Sequence, residues 1–229
     1  STFIAGVLAA RKGLKPPIGS ITQMAHIRLG TRSDERNPLI REFVPLADLN
    51  DLVFGGWDPI SPNVLEAATT AGVLEGNDLS EISNELESII PMEAVFDQKW
   101  VSRLEGVRVK QIANKWEQAE ALIADIANFK EENGCDRLVM IWCGSTEAFQ
   151  EPSEVHASVA AFEEGLKNND DNISPSQIYV YAALQSDVPF ANGAPNLSCD
   201  LDCMVELSKT RGVPVIGKDF KTGQTLMKT

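Results

Sequence analysis

Histidine, cysteine and long apolar runs are all in short supply. The 229 residues include only 2 histidines and 4 cysteines. His26 and His156 lie in unrelated segments, and Cys135, Cys143, Cys199 and Cys203 lack the density of a disulfide scaffold and the spacing of a multi-ligand metal site. Cys199 and Cys203 are four apart, which stacks them on one face if that stretch is helical. They read as buried structural thiols, and no metal is expected. No run approaches the ~18 to 20 apolar residues that cross a bilayer, so a membrane is not an expected partner. Bases are also in deficit, 20 against 33 acids for a net charge of −13. With no basic run to offset that field, nucleic acid is not an expected partner either. In the opening stretch the basic residues Arg11 and Lys12 follow the apolar residues, the reverse of a secretory signal, so a cytoplasmic location is expected.

What is present is ordinary for a globular chain: 43% hydrophobic and 23% charged residues, enough for one large domain or two small ones. Residues 2–12 read as a helix stopped by Gly13, and 14–48 as loop. Leu52-Val53-Phe54 reads as a strand ending at Gly55-Gly56-Trp57-Asp58. Ser61 and Pro62 then suit the N-cap and first position of a helix to about Ala71, and 79–89 suits another. Ile112, Trp116, Ala119, Leu122, Ile123, Ile126 and Phe129 recur at intervals of three and four, which predicts a long helix over 111–133. Residues 138–142 read as a strand buried on both faces. Helices are expected at 153–167, 176–185 and 200–210, with a second buried strand at 213–216.

Strands alternating with helices predict an α/β fold: a Rossmann-like, doubly wound, mainly parallel sheet with helices on both faces. Ligands in such sheets bind beyond the carboxyl ends of the strands. Three turns qualify, namely Gly55-Gly56-Trp57-Asp58, Cys143-Gly144-Ser145-Thr146-Glu147, and the closing Asp219-Phe220-Lys221-Thr222-Gly223-Gln224-Thr225. The last follows the apolar Val213-Pro214-Val215-Ile216 and looks like a strand-to-helix turn, whose free N–H groups and dipole suit a phosphate. A plain capping turn is the competing reading.

Four blocks together resemble the myo-inositol-1-phosphate synthase family, and its bacterial branch most. They are Pro45-Leu46-Ala47-Asp48-Leu49-Asn50-Asp51-Leu52-Val53-Phe54-Gly55-Gly56-Trp57-Asp58, Trp142-Cys143-Gly144-Ser145-Thr146-Glu147, Pro189-Phe190-Ala191-Asn192-Gly193-Ala194-Pro195-Asn196, and the segment 217–228. They run in family order along the whole chain. The resemblance implies NAD-dependent isomerisation of glucose 6-phosphate to inositol phosphate by oxidation, enolisation, aldol ring closure and reduction, in a homotetramer. Residues 1–229 would be a partial NAD-binding domain without its first strand and glycine loop. Residues 217–229 would lead into a catalytic and tetramerisation domain that carries most of the active-site lysines.

By the same resemblance Ser1, Thr2, Asp58, Cys143, Gly144, Ser145 and Thr146 contact NAD. Thr222, Gly223, Gln224 and Thr225 hold the substrate phosphate, and Asp219, Lys221 and Lys228 are catalytic. Asp58 lies much further along than the ~20 residues usual for a ribose-binding acid, so its role rests on the resemblance. Two blocks depart from the family pattern. Cys143-Gly144-Ser145-Thr146-Glu147 stands for Thr-Ala-Asn-Thr-Glu, and the block at 192–196 lacks a glutamine. Two alternatives stay open, a non-catalytic dinucleotide-binding protein and a related cyclase acting on another sugar phosphate.

Overall fold

The small and apolar residues that open the chain form helix α1 (Thr2–Arg11), and Gly13 takes φ +68° at its end, the left-handed stop that glycine allows. α1 lies in the first of two units, Ser1–Met92 and Glu93–Thr229, into which the chain divides. The structure is a computed structural model that describes residues 1–74 and 76–220.

In the first unit the region 14–48 is not all loop. It holds the one-turn helices α2 (Ile21–Met24) and α3 (Ile40–Phe43), linked by antiparallel bridges His26–Leu39 and Leu29–Arg36. Residues 52–54 do not form the expected strand. Arg11 donates to the carbonyls of Leu49 (2.6 Å) and Leu52, and the segment finds one parallel bridge, Trp57 to Met92. A side chain has taken the place of a ladder.

Helix α4 (Val64–Ala71) starts later than expected. Its N-cap is Asn63, whose Oδ1 accepts from Glu66 N at 2.8 Å. The hydroxyl of Ser61 is not the cap; Ser61 N instead donates to Asp58 Oδ1 (2.7 Å). The expected helix over 79–89 is two, α5 (Gly76–Ser80) and α6 (Ser83–Ser88). Ser80 and Ser83 hydroxyls donate to the carbonyls of Asn77 and Ser80, the local competition with which serine weakens a helix. Ala5, Leu8, Val64, Ala68, Leu79, Ile82 and Leu86 pack α1, α4, α5 and α6 into one core.

The second unit is built around a helix. α7 (Lys115–Glu132) begins at Asn114, whose Oδ1 accepts from Trp116 N and Glu117 N, and Gly134 follows its end at φ +59°. After strand β1 (Met140–Trp142) come α8 (Val159–Lys167), α9 (Pro175–Gln185), strand β2 (Phe190–Asn192), α10 (Asp202–Arg211) and strand β3 (Val215–Ile216). The strands form one parallel sheet in the order β1-β2-β3, with Ile141, Ala191 and Ile216 in register. This is the expected α/β architecture.

The central strand, β2, lay in a stretch that showed no strand pattern, because three residues are too few to display one. The outer strands are also less buried than expected. Val139, Ile141 and Ile216 stand open on one side of the sheet, while Phe190 and Asn192 face the core. α10 starts at Asp202, so Cys199 precedes it and only Cys203 is helical. Both are free and buried, and burial pushes the Cys203 thiol up to about 12.

α9 is buried from Pro175 to Leu184, as a helix without a polar face must be. Its polar side chains are therefore all engaged. Tyr179 Oη accepts from Val95 N (2.9 Å) and Tyr181 Oη donates to Glu163 (2.9 Å). Gln177 Oε1 accepts from Ser174 N (3.0 Å) in a capping box.

α8 packs so closely that Gly165 has no room for a side chain. A Cβ there would strike Val155 and come 2.9 Å from Ile173 Cδ1. Alanine in an exposed helix is favoured over glycine by about 1 kcal/mol, whereas overpacking a core costs about 1–3 kcal/mol. The second effect should win at this position. Gly165→Ala is expected to destabilise the chain by about 1–2 kcal/mol, seen as a lower midpoint in urea unfolding.

Candidate functional site

In a parallel sheet every strand delivers its carboxyl end to the same edge. Here that edge gathers residues 143–148 after β1, 193–198 after β2 and 217–220 after β3. Gly193 N donates to Trp142 O (2.9 Å) and Phe220 N to Gly193 O (3.2 Å). The Phe220 ring lies where a Cβ on Gly193 would fall. Asn192 closes the loop after β2, its amide donating to Asn196 O (2.9 Å) and Ser198 Oγ (2.8 Å) while its Oδ1 accepts from Ala194 N (3.0 Å).

The turn after β1 is fastened at its far end. Glu147 N donates to Asn196 Oδ1 (3.0 Å) and Ala148 N to Trp100 O (2.8 Å). The buried Glu147 carboxylate accepts from Ser176 N (2.8 Å) and Ser176 Oγ (2.6 Å) at the start of α9. Between these anchors and the strand, Cys143, Gly144, Ser145 and Thr146 remain exposed. Gly144 fits because the Trp142 indole folds over it; a Cβ would sit 2.7 Å from the ring. This accounts for glycine where the family pattern has alanine.

Asp219 stands exposed beyond β3 with φ +68°, a left-handed conformation that aspartate tolerates better than most residues other than glycine. Its neighbour Lys218 is paired with Asp200 Oδ2 at 2.7 Å. The second unit thus brings together Cys143, Gly144, Ser145, Thr146 and Asp219. Lys221, Thr222, Gly223, Gln224, Thr225 and Lys228 lie outside the described residues. In the first unit, Ser1 is the N-cap residue of α1 and Thr2 its first residue. Phe3 meets Phe54 edge-on at 6.2 Å, which carries the start of α1 toward the segment that ends in Asp58. The Asp58 carboxylate accepts through Oδ1 from Ile60 N and Ser61 N, both at 2.7 Å. Its orientation is therefore fixed by its own turn.

Glu147, Asn192, Asn196 and Trp100 organise this edge, and sequence reasoning did not single them out. The available signal was a density of Asn and Ser in a loop after a short apolar stretch, which says that polar groups must be satisfied without saying by what. Trp100 Nε1 and Asn196 Nδ2 are buried with no hydrogen-bond partner among the described residues. No group of three or more potential metal ligands occurs among the described residues. None of the described helices is long and apolar enough to cross a membrane.

A parallel α/β sheet whose strand ends carry small, exposed turns has the build of a nucleotide-binding enzyme domain. Comparison with known proteins gives the particular case. The sequence model of myo-inositol-1-phosphate synthase, a NAD-binding family, matches residues 1–226. Inositol-3-phosphate synthase 1 of Bacteroides thetaiotaomicron is 51% identical over 230 residues, covering 100% of this chain and 53% of that protein. The Trypanosoma brucei brucei inositol-3-phosphate synthase is 34% identical over 228 residues, covering 96% and 43%. The crystal structure of the Caenorhabditis elegans inositol-3-phosphate synthase superimposes with a TM-score of 0.88 at 26% identity, over 99% of this chain and 48% of that one. The chain belongs to the myo-inositol-1-phosphate synthase family, and NAD is its cofactor. It spans about half the length of the curated relatives it matches.

The residues at the sheet edge suit a dinucleotide. Cys143, Gly144, Ser145 and Thr146 are small and exposed, so the turn can present its backbone to a ligand, and Ser145 and Thr146 offer hydroxyls.

Burial raises the Glu147 carboxyl above its ordinary 4.5, against the opposing pull of the Ser176 hydrogen bonds. A raised folded value means that the native chain holds this proton more tightly than the unfolded chain does. The stability tied to Glu147 is then greatest below 4.5 and falls as pH climbs through the raised value. Glu147→Gln abolishes the titration. Urea unfolding at a series of pH values from about 4 to about 8 should show the variant gaining on the wild type as pH rises.

Proposed function

We propose that this chain is the NAD-binding portion of an enzyme that isomerises D-glucose 6-phosphate to 1L-myo-inositol 1-phosphate. The observation that carries the reading is the family match along almost the whole chain, and the gathering of turns at one sheet edge supports it. NAD, when bound, supplies a hydride acceptor that is restored within the turnover. Residues of the chain do the rest by holding and orienting.

In the first unit Ser1, Thr2 and Asp58 contact the cofactor, with Asp58 Oδ2 accepting from it while Oδ1 stays in its own turn. In the second, the Cys143 to Thr146 turn contacts it, chiefly through backbone, since two of its side chains depart from the family pattern. Thr222, Gly223, Gln224 and Thr225 cradle the sugar phosphate with backbone N–H groups and hydroxyls. Asp219, Lys221 and Lys228 move protons and neutralise the oxyanion that develops during enolisation. Residues 217–229 lead into a catalytic and tetramerisation domain, and the parent enzyme is a cytoplasmic homotetramer serving inositol and phospholipid biosynthesis.

The test uses a full-length protein and the 229-residue chain side by side. Full-length protein incubated with NAD⁺ and glucose 6-phosphate should form inositol phosphate, and the 229-residue chain should not. Equal rates would overturn the division of labour, and no product from either would overturn the activity. Asp58→Ala in the full-length protein should weaken NAD binding by about 1–3 kcal/mol, the range for a hydrogen bond to a charged group. Gly223→Val should raise the KM for the sugar phosphate and lower kcat while NAD affinity is kept, because a side chain would block the phosphate cradle.

A further inference from the structure

One residue ties the three strand ends together. Gly193, the first residue after β2, donates its N–H to Trp142 O (2.9 Å), the last carbonyl of β1. Its own carbonyl accepts from Phe220 N (3.2 Å), beyond β3. Cys143, where the turn proposed to meet NAD begins, follows Trp142 directly, and Asp219 and Lys221 flank Phe220 in the sequence. Two backbone hydrogen bonds on a single residue therefore connect the cofactor turn to the segment proposed to carry the chemistry.

Glycine costs chain entropy, so its presence at this junction needs a reason. Backbone conformation does not supply one, because Gly193 is not among the glycines with positive φ. The Phe220 ring does. A Cβ on Gly193 would strike ring atoms Cε2 and Cζ and come 2.7 Å from Cδ2, and these are the three atoms nearest to it.

Phe220 is 47% exposed, so it is an anchor at the surface and no part of a core. Its N–H bond to Gly193 is at the long end of the normal range. The ring lying on the bare Cα of Gly193 is the second hold. On the other side of Asp219, Lys218 Nζ pairs with Asp200 Oδ2 (2.7 Å). Asp219 thus stands between two tethered neighbours, with a left-handed backbone that fixes where its carboxylate leaves the chain.

We propose that Gly193 is a positioning residue for the catalytic segment. By leaving its Cα bare for the Phe220 ring, it sets the direction of Asp219, and of the chain entering Lys221, relative to the cofactor turn. A methyl at 193 drives the ring off and leaves Phe220 held by one long hydrogen bond. Misplacing a reacting group by about 1 Å can cost about a hundredfold in rate. The catalytic consequence rests on the function proposed above; the contact does not.

The test makes Gly193→Ala, Phe220→Leu and the two together, in full-length protein and in the 229-residue chain. Leucine lacks Cε2 and Cζ, the atoms a methyl at 193 would strike. In full-length protein given NAD⁺ and glucose 6-phosphate, Gly193→Ala should lower kcat about ten- to a hundredfold. KM for the sugar phosphate and NAD affinity should stay within about twofold, since the lost contact orients and does not bind. Phe220→Leu alone should lower kcat several-fold, and the double variant should return to that level. A folded Gly193→Ala variant with wild-type kcat overturns the proposal, as does a loss carried by KM, or one that Phe220→Leu fails to relieve. Should Gly193→Ala not fold, an unchanged kcat in Phe220→Leu overturns it alone. In the 229-residue chain, the drop in urea midpoint caused by Gly193→Ala should shrink when residue 220 is leucine, and strictly additive midpoints overturn the contact. A full-length wild type that makes no inositol phosphate sinks the roles of Asp219 and Lys221 and this role with them, while non-additive midpoints would keep the contact.

Discussion

The Glu147 carboxylate, gripped by the amide and hydroxyl of Ser176, joins the turn after β1 to the first residues of α9. Charge buried at this depth is costly unless hydrogen bonds compensate it. Two donors at a helix start, with the partial positive charge of that helix end, offset part of that cost, and burial still raises the carboxyl above its ordinary value. Much else in the second unit depends on this contact. α9 is the element against which α7, α10 and β2 pack, so fixing its start fixes the floor of the sheet. The same carboxylate, with Asn196 on its amide, holds the far end of the turn while Trp142 holds the near end. Four exposed residues between the two anchors are thereby presented on a frame that does not need them for its own stability.

The first unit reaches a similar result by other means. Arg11 spends its guanidinium on the carbonyls of Leu49 and Leu52 and lies 5.3 Å from the centre of the Phe54 ring. This ties α1 to a segment with little regular structure of its own. Asp58 then folds its turn by accepting from the next two available amides. A single side chain from the helix does what strand pairing does elsewhere in the chain.

How much of this was legible depended on how local each determinant is. The long helix α7 showed its full apolar period, and its true start at Asn114 was missed by only a few residues because capping depends on one side chain's geometry. The α/β class followed from alternation alone. β2 was not legible as a strand, since Phe190, Ala191 and Asn192 are too short a run to carry a period and are made a strand by neighbours on both sides. Residues 52–54 looked more like a strand than β2 does, yet lack neighbours to pair with. Family resemblance picked out the exposed turn at 143–146. It included Asn196 in a block without giving it a role and passed over Trp100, since what these residues do arises only when segments about a hundred residues apart meet. A sequence displays periods and motifs, but a buried donor with no partner is a property of the assembled interior.

The indole of Trp142 lying across Gly144 means that these two positions are not independent. With a tryptophan two residues upstream, any side chain at 144 must displace the ring or the strand end that carries it. With a smaller residue at 142, alanine at 144 becomes admissible. Across a set of related chains, the pair would therefore drift as a unit, large with none or small with small. An observer comparing sequences could mistake that coupled drift for a change in what the turn binds, when it is only the turn keeping the same shape.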